Sequence, residues 1–170
     1  MDNKILNKAI RNAIKLGDIN KVKQLIGSDK EVLNTMTSFG TWLHVAAKKG
    51  RHEIVKYLVE KGVDIDARGG TFDASALNLT AGAGHLEIVK YLIEAGAELD
   101  VTLAKRNPLF GAIYGGHKKV VEFLVEQGID ISIRYNGESF KSMDASEYAR
   151  ELGQSEVAEY LKGKLANRGI

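Results

Sequence analysis

The string RHEIVKYLVEKG that begins at Arg51 returns as HLEIVKYLIEAG from His85 and as HKKVVEFLVEQG from His117, and no other feature of the 170 residues constrains the fold as much. Each copy follows a glycine (Gly50, Gly84, Gly116) and stops on another (Gly62, Gly96, Gly128). Within each, an aliphatic pair (Ile54/Val55, Ile88/Val89, Val120/Val121) and a later leucine (Leu58, Leu92, Leu124) fall on one face of a 3.6-residue helix. Weaker copies register on Gly17, with Val22 and Leu25 behind it, and on Gly153, with Val157, Ala158 and Leu161 behind it. The spacings between the registering glycines are 33, 34, 32 and 37. A period of that size means a stack of small units, none of which can bury its apolar face without a neighbour.

Ahead of each central glycine lies a second short helical pattern: TWLHVAAKKG from Thr41, SALNLTAGAG from Ser75 and NPLFGAIYGG from Asn107. Thr41, Ser75 and Asn107 are suited to the N-cap, where a side-chain oxygen takes up a first-turn amide. Pro108, the one proline, sits at the first helical position, where a missing N–H costs nothing. Small residues (Ala46, Ala47, Thr80, Ala81, Ala112) allow neighbouring helices to approach closely. Each unit therefore reads as helix, tight turn, helix, extended loop.

These strings resemble the ankyrin repeat, whose pattern runs T-P-L-H-x-A-A, two variable residues, G-H, then an I-V-x-x-L-L helix. The resemblance spans Ile5 to Leu165 and departs from the pattern at Trp42 and Ala76 (motif Pro), at Asn78 and Phe110 (motif His) and at Ser146 (motif Leu). It implies an all-α ankyrin-repeat solenoid of about five helix-turn-helix units with extended loops. The expected organisation is a single domain over 1–170, with repeats near 5–34, 35–67, 68–101, 102–134 and 135–165 and a tail at 166–170. The first copy carries Lys8, Arg11, Lys15, Lys21 and Lys23 and the last Glu147, Arg150, Glu151, Glu156 and Glu159, which fits two capping units with one wetted side each.

Several kinds of chemistry find no support. The chain has no cysteine, which removes disulfides, thiolate ligands and a thiol nucleophile and fits a reducing compartment. The N-terminal Met-Asp-Asn-Lys has no apolar run for a signal segment, and no stretch approaches the roughly 20 apolar residues of a membrane span, so a cytoplasmic location is expected. Lys plus Arg total 24 against 22 Asp plus Glu, too small an excess for long-range attraction to nucleic acid, which stays a minor alternative. The four histidines (His44, His52, His85, His117) occupy positions that the repeat itself dictates, and units about 10 Å apart cannot bring them to the roughly 2 Å bonds of a zinc site. Gly82-Ala83-Gly84 lacks the preceding strand of a dinucleotide fingerprint. The acid pairs Asp64/Asp66 and Glu98/Asp100 alternate with Ile65 and Leu99, as in an extended segment with its acids outward. No catalytic residue, metal or cofactor is expected, and the chain is read as a non-enzyme.

What the resemblance implies instead is partner binding through the concave face and loop tips. The family's contact positions fall here on Phe39, Trp42, Lys48 and Lys49 in one copy, Phe72 and Asp73 in the next, Lys105, Arg106 and Tyr114 in the third, and Arg134, Tyr135 and Phe140 in the final loop. Aromatics and arginine dominate binding energy at protein interfaces. Trp42 leads the set because a proline ordinarily stands there, on an exposed first turn; the competing reading folds the indole over the neighbouring loop. Gly82 and Ala83 should leave the middle of the face shallow between Lys49 and Tyr114. The expected partner is another protein bound by a monomer, without membrane contact. The texture also resembles short, free-standing bacterial immunity proteins that neutralise a cognate toxin; the alternative is a scaffold or regulatory adaptor joining native partners.

Overall fold

The computed structural model describes residues 3–70, 73–137 and 141–167. Among them eleven helices follow in order: α1 (Asn3–Leu16), α2 (Ile19–Ile26), α3 (Lys30–Leu33), α4 (Trp42–Lys48), α5 (His52–Glu60), α6 (Ala76–Gly82), α7 (Leu86–Glu94), α8 (Pro108–Tyr114), α9 (Lys118–Glu126), α10 (Ala145–Glu151) and α11 (Ser155–Ala166). The described residues contain no strand, only isolated bridges in the loops, Thr37 with Gly40, Gly69 with Ala74 and Tyr135 with Met143.

The helices pair as α1/α2, α4/α5, α6/α7, α8/α9 and α10/α11 and form two rows. The inner row (α1, α4, α6, α8, α10) packs more extensively from unit to unit than the outer row (α2, α5, α7, α9). Small residues account for the difference: a Cβ at Gly82 would lie 3.5 Å from the Gly111 carbonyl oxygen, and one at Gly111 would lie 3.3 Å from that of Asn78. One row drawn tighter than the other curves the stack, with the inner helices on the concave side. Between the rows runs one apolar core, with Ile14 and Val22 at one end, Leu43, Ile54, Leu77, Leu92, Leu109 and Leu124 through the middle, and Val157 and Leu161 at the other.

Caps start the inner helices where the sequence indicates. Ser75 accepts from Asn78 N–H at 3.3 Å, Asn107 from Leu109 N–H at 2.9 Å, and Asp144 from Ser146 and Glu147 N–H. In α4 the closure is different. His44 Nδ1 accepts from Thr41 N–H at 3.2 Å and meets Thr41 Oγ1 at 2.8 Å, leaving Nε2–H to donate to the Ala74 carbonyl of the next unit at 2.9 Å. The ring also needs Gly40, at φ 86, because a Cβ there would stand 2.5 Å from His44 Cγ.

A second set of bonds recurs at the outer-helix N-caps, each reaching back toward the preceding inner helix. Arg51 donates to the Lys15 carbonyl, His85 Nε2 meets the Lys48 carbonyl at 3.3 Å, and Gln154 donates to the Ile113 carbonyl. His85 lies over Gly50, where a Cβ would come within 2.6 Å of its ring, and His117 lies likewise over Gly84. These contacts account for His44, His85 and His117 as parts of the stack, while His52, at the start of α5, sets its ring edge-on to Tyr91 at 5.9 Å.

The acid pairs only partly face outward. Asp64 and Glu98 are exposed, whereas Asp66 accepts from Glu98 N–H at 2.8 Å and Asp100 pairs with Arg68 at 2.9 Å. Burial works against the Asp100 carboxylate, but bonds from Thr102 and the charges of Arg68 and Arg106 outweigh it and hold its pKa below the ordinary value. An extended loop in a stack has one edge against the next loop, so alternate acids turn inward to bind across units.

Trp42 corrects the sequence reading outright. It is 0% exposed, and its indole N–H donates to the Val32 carbonyl of α3 at 2.7 Å. The α3 turn lies over the first turn of α4, so the indole fills space under a loop and is withdrawn from any partner. Trp42→Ala is expected to cost about 3–5 kcal/mol of unfolding free energy in urea titration, against under about 1 kcal/mol for Phe39→Ala. Burial pushes the His44 imidazole below its ordinary 6.5, against the opposing effect of its carbonyl bonds. The unfolded chain therefore takes up this proton first, so His44 contributes stability above pH 6.5 that is lost as pH falls toward the native pKa. Urea midpoints should fall with acidification over that window more steeply for the wild type than for His44→Asn.

Candidate binding face

The C-terminal halves of the inner helices and the loops before them enclose two adjoining hollows. The first, about 240 Å³, is bordered by Arg11, Lys15, Phe39, Lys48, Lys49 and Gly70 among others. The second, about 710 Å³, is bordered by Leu79, Gly82, Leu103, Phe110, Gly111 and Tyr114, with Lys48 and Lys105 also on its border. Lys48 belongs to both. The larger hollow exists because Gly82, Ala83 and Gly111 put no bulk where longer side chains would otherwise close the groove.

Of the residues expected at this face, the structure brings five to the hollows: Phe39, Lys48, Lys49, Lys105 and Tyr114. Tyr114 is 75% exposed and Phe39 56%, the latter with the Arg11 guanidinium 4.5 Å from its ring centroid. Phe72 and Phe140 lie outside the described residues. Asp73 and Arg106 form an ion pair with each other, and Arg106 Nε also donates to the Asp73 carbonyl at 3.3 Å, which locks the loop before α8 to the loop before α6.

The final loop departs from expectation. Tyr135 is 8% exposed, accepts from Asn107 Nδ2 at 3.1 Å and donates to the Val101 carbonyl at 2.5 Å. Burial pushes its phenol pKa up, so it stays a neutral donor. Its ring meets Phe110 edge-on at 4.9 Å, and Tyr148 stacks on Phe110 at 5.0 Å. This aromatic cluster occupies the place of the inter-unit bond that His44 makes lower in the stack, which explains a phenylalanine where the repeat pattern has histidine. Arg134 is likewise taken up internally, by Asp144 at 2.9 Å, Glu147 at 2.6 Å and Ser142 Oγ at 3.1 Å. Tyr135 and Arg134 thus fix the loop that leads into α10; Tyr135 is withdrawn from the partner-facing set by burial, whereas Arg134 stays exposed within its ion pairs.

Other residues at the face escaped the sequence reading. Arg11 and Lys15, read there as solvated cap residues, border the first hollow, and Leu103, 42% exposed, borders the second. Asn78 and Tyr148 also line the second hollow. The one signal available for Asn78 was its departure from the motif histidine; Leu103 and Tyr148 carried none, since their placement depends on how three loops converge. Among the described residues no three His, Cys, Asp or Glu side chains come together as a metal site, and no helix is long and apolar enough to cross a membrane.

A family model described as ankyrin repeats, in 3 copies, matches residues 10–102 and 70–135. The palmitoyltransferase Hip14 of Drosophila melanogaster is 36% identical over 69 residues, which is 41% of this chain and 11% of that protein. The palmitoyltransferase AKR1 of Naumovozyma castellii is 40% identical over 62 residues, 36% of this chain and 8% of that protein. The matched segments thus span about a tenth of the length of these relatives.

Loop-locking residues should be separable from face residues by stability alone. Tyr135→Phe leaves the Asn107 amide and the Val101 carbonyl without their partner and is expected to cost about 1–3 kcal/mol in urea unfolding. Tyr114→Phe, at an exposed position, should change stability by less than about 0.5 kcal/mol.

Proposed function

The chain belongs to the ankyrin repeat family, and from that premise we propose that it is a non-catalytic protein-binding module whose partner seats on the concave face, across the hollow between α6 and α8. The observation that carries this reading is the hollow of about 710 Å³ itself. It joins an apolar lining (Leu79, Leu103, Phe110, Tyr114) to a floor of glycine and alanine, on helices held rigid by bonds from unit to unit. A rigid concave surface with exposed aromatic and aliphatic side chains loses little ordering entropy on binding, so its contact area converts well into affinity. The transferase activity in the names of the two relatives belongs to those proteins, of which the matched segments are about a tenth.

Binding of this kind acts by occlusion or by tethering. Neutralisation of a toxin would be occlusion of that toxin's working surface, and a scaffold would leave its partner active. Affinity capture on the immobilised chain, comparing wild type with Tyr114→Ala and Gly82→Trp, tests the reading. Wild type should retain a defined protein that both variants lose by about tenfold or more with urea midpoints unchanged. Equal capture by all three would place binding elsewhere and overturn the assignment to this face. Assaying the captured protein's own activity, free and bound, then separates occlusion from tethering.

A further inference from the structure

Asn78 is 7% exposed, yet its side-chain nitrogen is buried with no acceptor. One unit earlier the corresponding residue, His44, reaches the Ala74 carbonyl, and one unit later Phe110 joins an aromatic cluster. Asn78 does neither. Its amide borders the larger hollow beside Gly111, where a Cβ would come within 3.5 Å of Nδ2. An unpaired buried donor lowers stability, and this one is placed to meet an acceptor arriving through the hollow.

The charge around it is one-sided. Lys48 and Lys105 border this hollow, and Arg11, Lys15 and Lys49 join Lys48 around the first. Among the described residues no Asp or Glu borders either hollow. Six loop and outer-helix cations, Arg68, Arg106, Arg134, Lys56, Lys90 and Lys118, are ion-paired, and no carboxylate among the described residues pairs with Lys48, Lys49 or Lys105. The outer helices α2, α5, α7 and α9 are balanced, with six Lys and six Glu, and further acids lie in the loops, as with Asp64, Asp66, Glu98 and Asp130. A net charge of +2 thus hides two hollows whose charged border residues, among those described, are all cations.

We propose that this face receives an acidic, extended segment of the partner protein. A bulky apolar side chain of the segment enters the hollow between Leu79, Leu103, Phe110 and Tyr114, and a carbonyl accepts from Asn78 Nδ2. Carboxylates on one side meet Lys105, and those on the other meet Lys48 and the cations of the first hollow. The proposal rests on the protein-binding reading above and adds the chemistry of the partner. A polynucleotide would answer the charge, but the larger hollow is lined mainly by apolar groups and presents no row of exposed aromatics on which successive bases could stack.

The test is a selection of displayed random peptides of about twelve residues on the immobilised wild-type chain. The best sequences are then synthesised and measured by fluorescence anisotropy against wild type, Asn78→Leu and the double variant Lys48→Glu/Lys105→Glu. Enriched peptides should carry several Asp or Glu around a Leu, Ile, Phe or Trp, and should weaken as salt rises. Affinity should drop by about tenfold or more in each variant, with the urea midpoint of Asn78→Leu unchanged or raised. If Asn78→Leu fails to fold, the lysine pair alone decides. Enrichment without acidic excess, or acidic peptides indifferent to both variants, overturns the proposal; if such peptides are lost on Gly82→Trp, the concave-face reading itself stands. No enrichment, together with equal capture by wild type and the face variants, overturns both. An oligothymidylate strand that binds more tightly and displaces the peptide replaces the acidic segment with a polynucleotide and overturns the proposal.

Discussion

Where α6 meets α8, at Gly82 and Gly111, helix backbones approach with almost no side chain between them, and the rest of the architecture adjusts to that approach. A seven-residue helix has too few hydrogen bonds to stand alone, and its pair adds only a narrow apolar face. Stability therefore resides at the joints between units. The joints are close in the inner row because its residues are small and wider in the outer row because Tyr57, Tyr91 and Phe123 stand there. Curvature, the concave face and its central hollow all follow from that inequality.

Polar groups complete what packing begins. His44, His85, Arg51 and Gln154 each cross a joint to a backbone carbonyl of the neighbouring unit, and Asp66, Arg68 and Arg106 make polar bonds between loops. The devices differ chemically from joint to joint and are drawn from the inner helix, the outer-helix N-cap and the loop. That explains how Phe110 can stand in a histidine position: the Tyr135 hydroxyl and two ring contacts take over a connection that one imidazole makes elsewhere.

The period, the helix pairs, the caps at Ser75 and Asn107 and the structural use of the histidines were legible in the sequence, because glycine register and 3.6-residue patterning act locally. The candidate face was half legible. Lys48, Lys49 and Tyr114 follow from their place ahead of a turn glycine, which decides exposure by itself. Trp42 and Tyr135 could not be placed that way, since an aromatic residue's burial depends on whether a distant loop folds over it, and α3 and the loop at Val101 do so here. Arg134 stays exposed, but its guanidinium is also engaged by Asp144 and Glu147, which its place in the repeat does not indicate. The basic border of the hollows was invisible in the overall charge, which sums it with acids in the loops and a balanced outer row.

The bonds from the outer-helix N-caps also give the stack a direction. Arg51, His85 and Gln154 all donate backward, toward the unit before, and none is answered by a bond of the same kind running forward. At these three joints a donor faces one way and a carbonyl the other, as couplings do in a train. The two ends of such a stack are therefore not interchangeable: near one end a carbonyl, at Lys15, is taken up by the unit that follows, and at the other a donor, Gln154, is spent on the unit before.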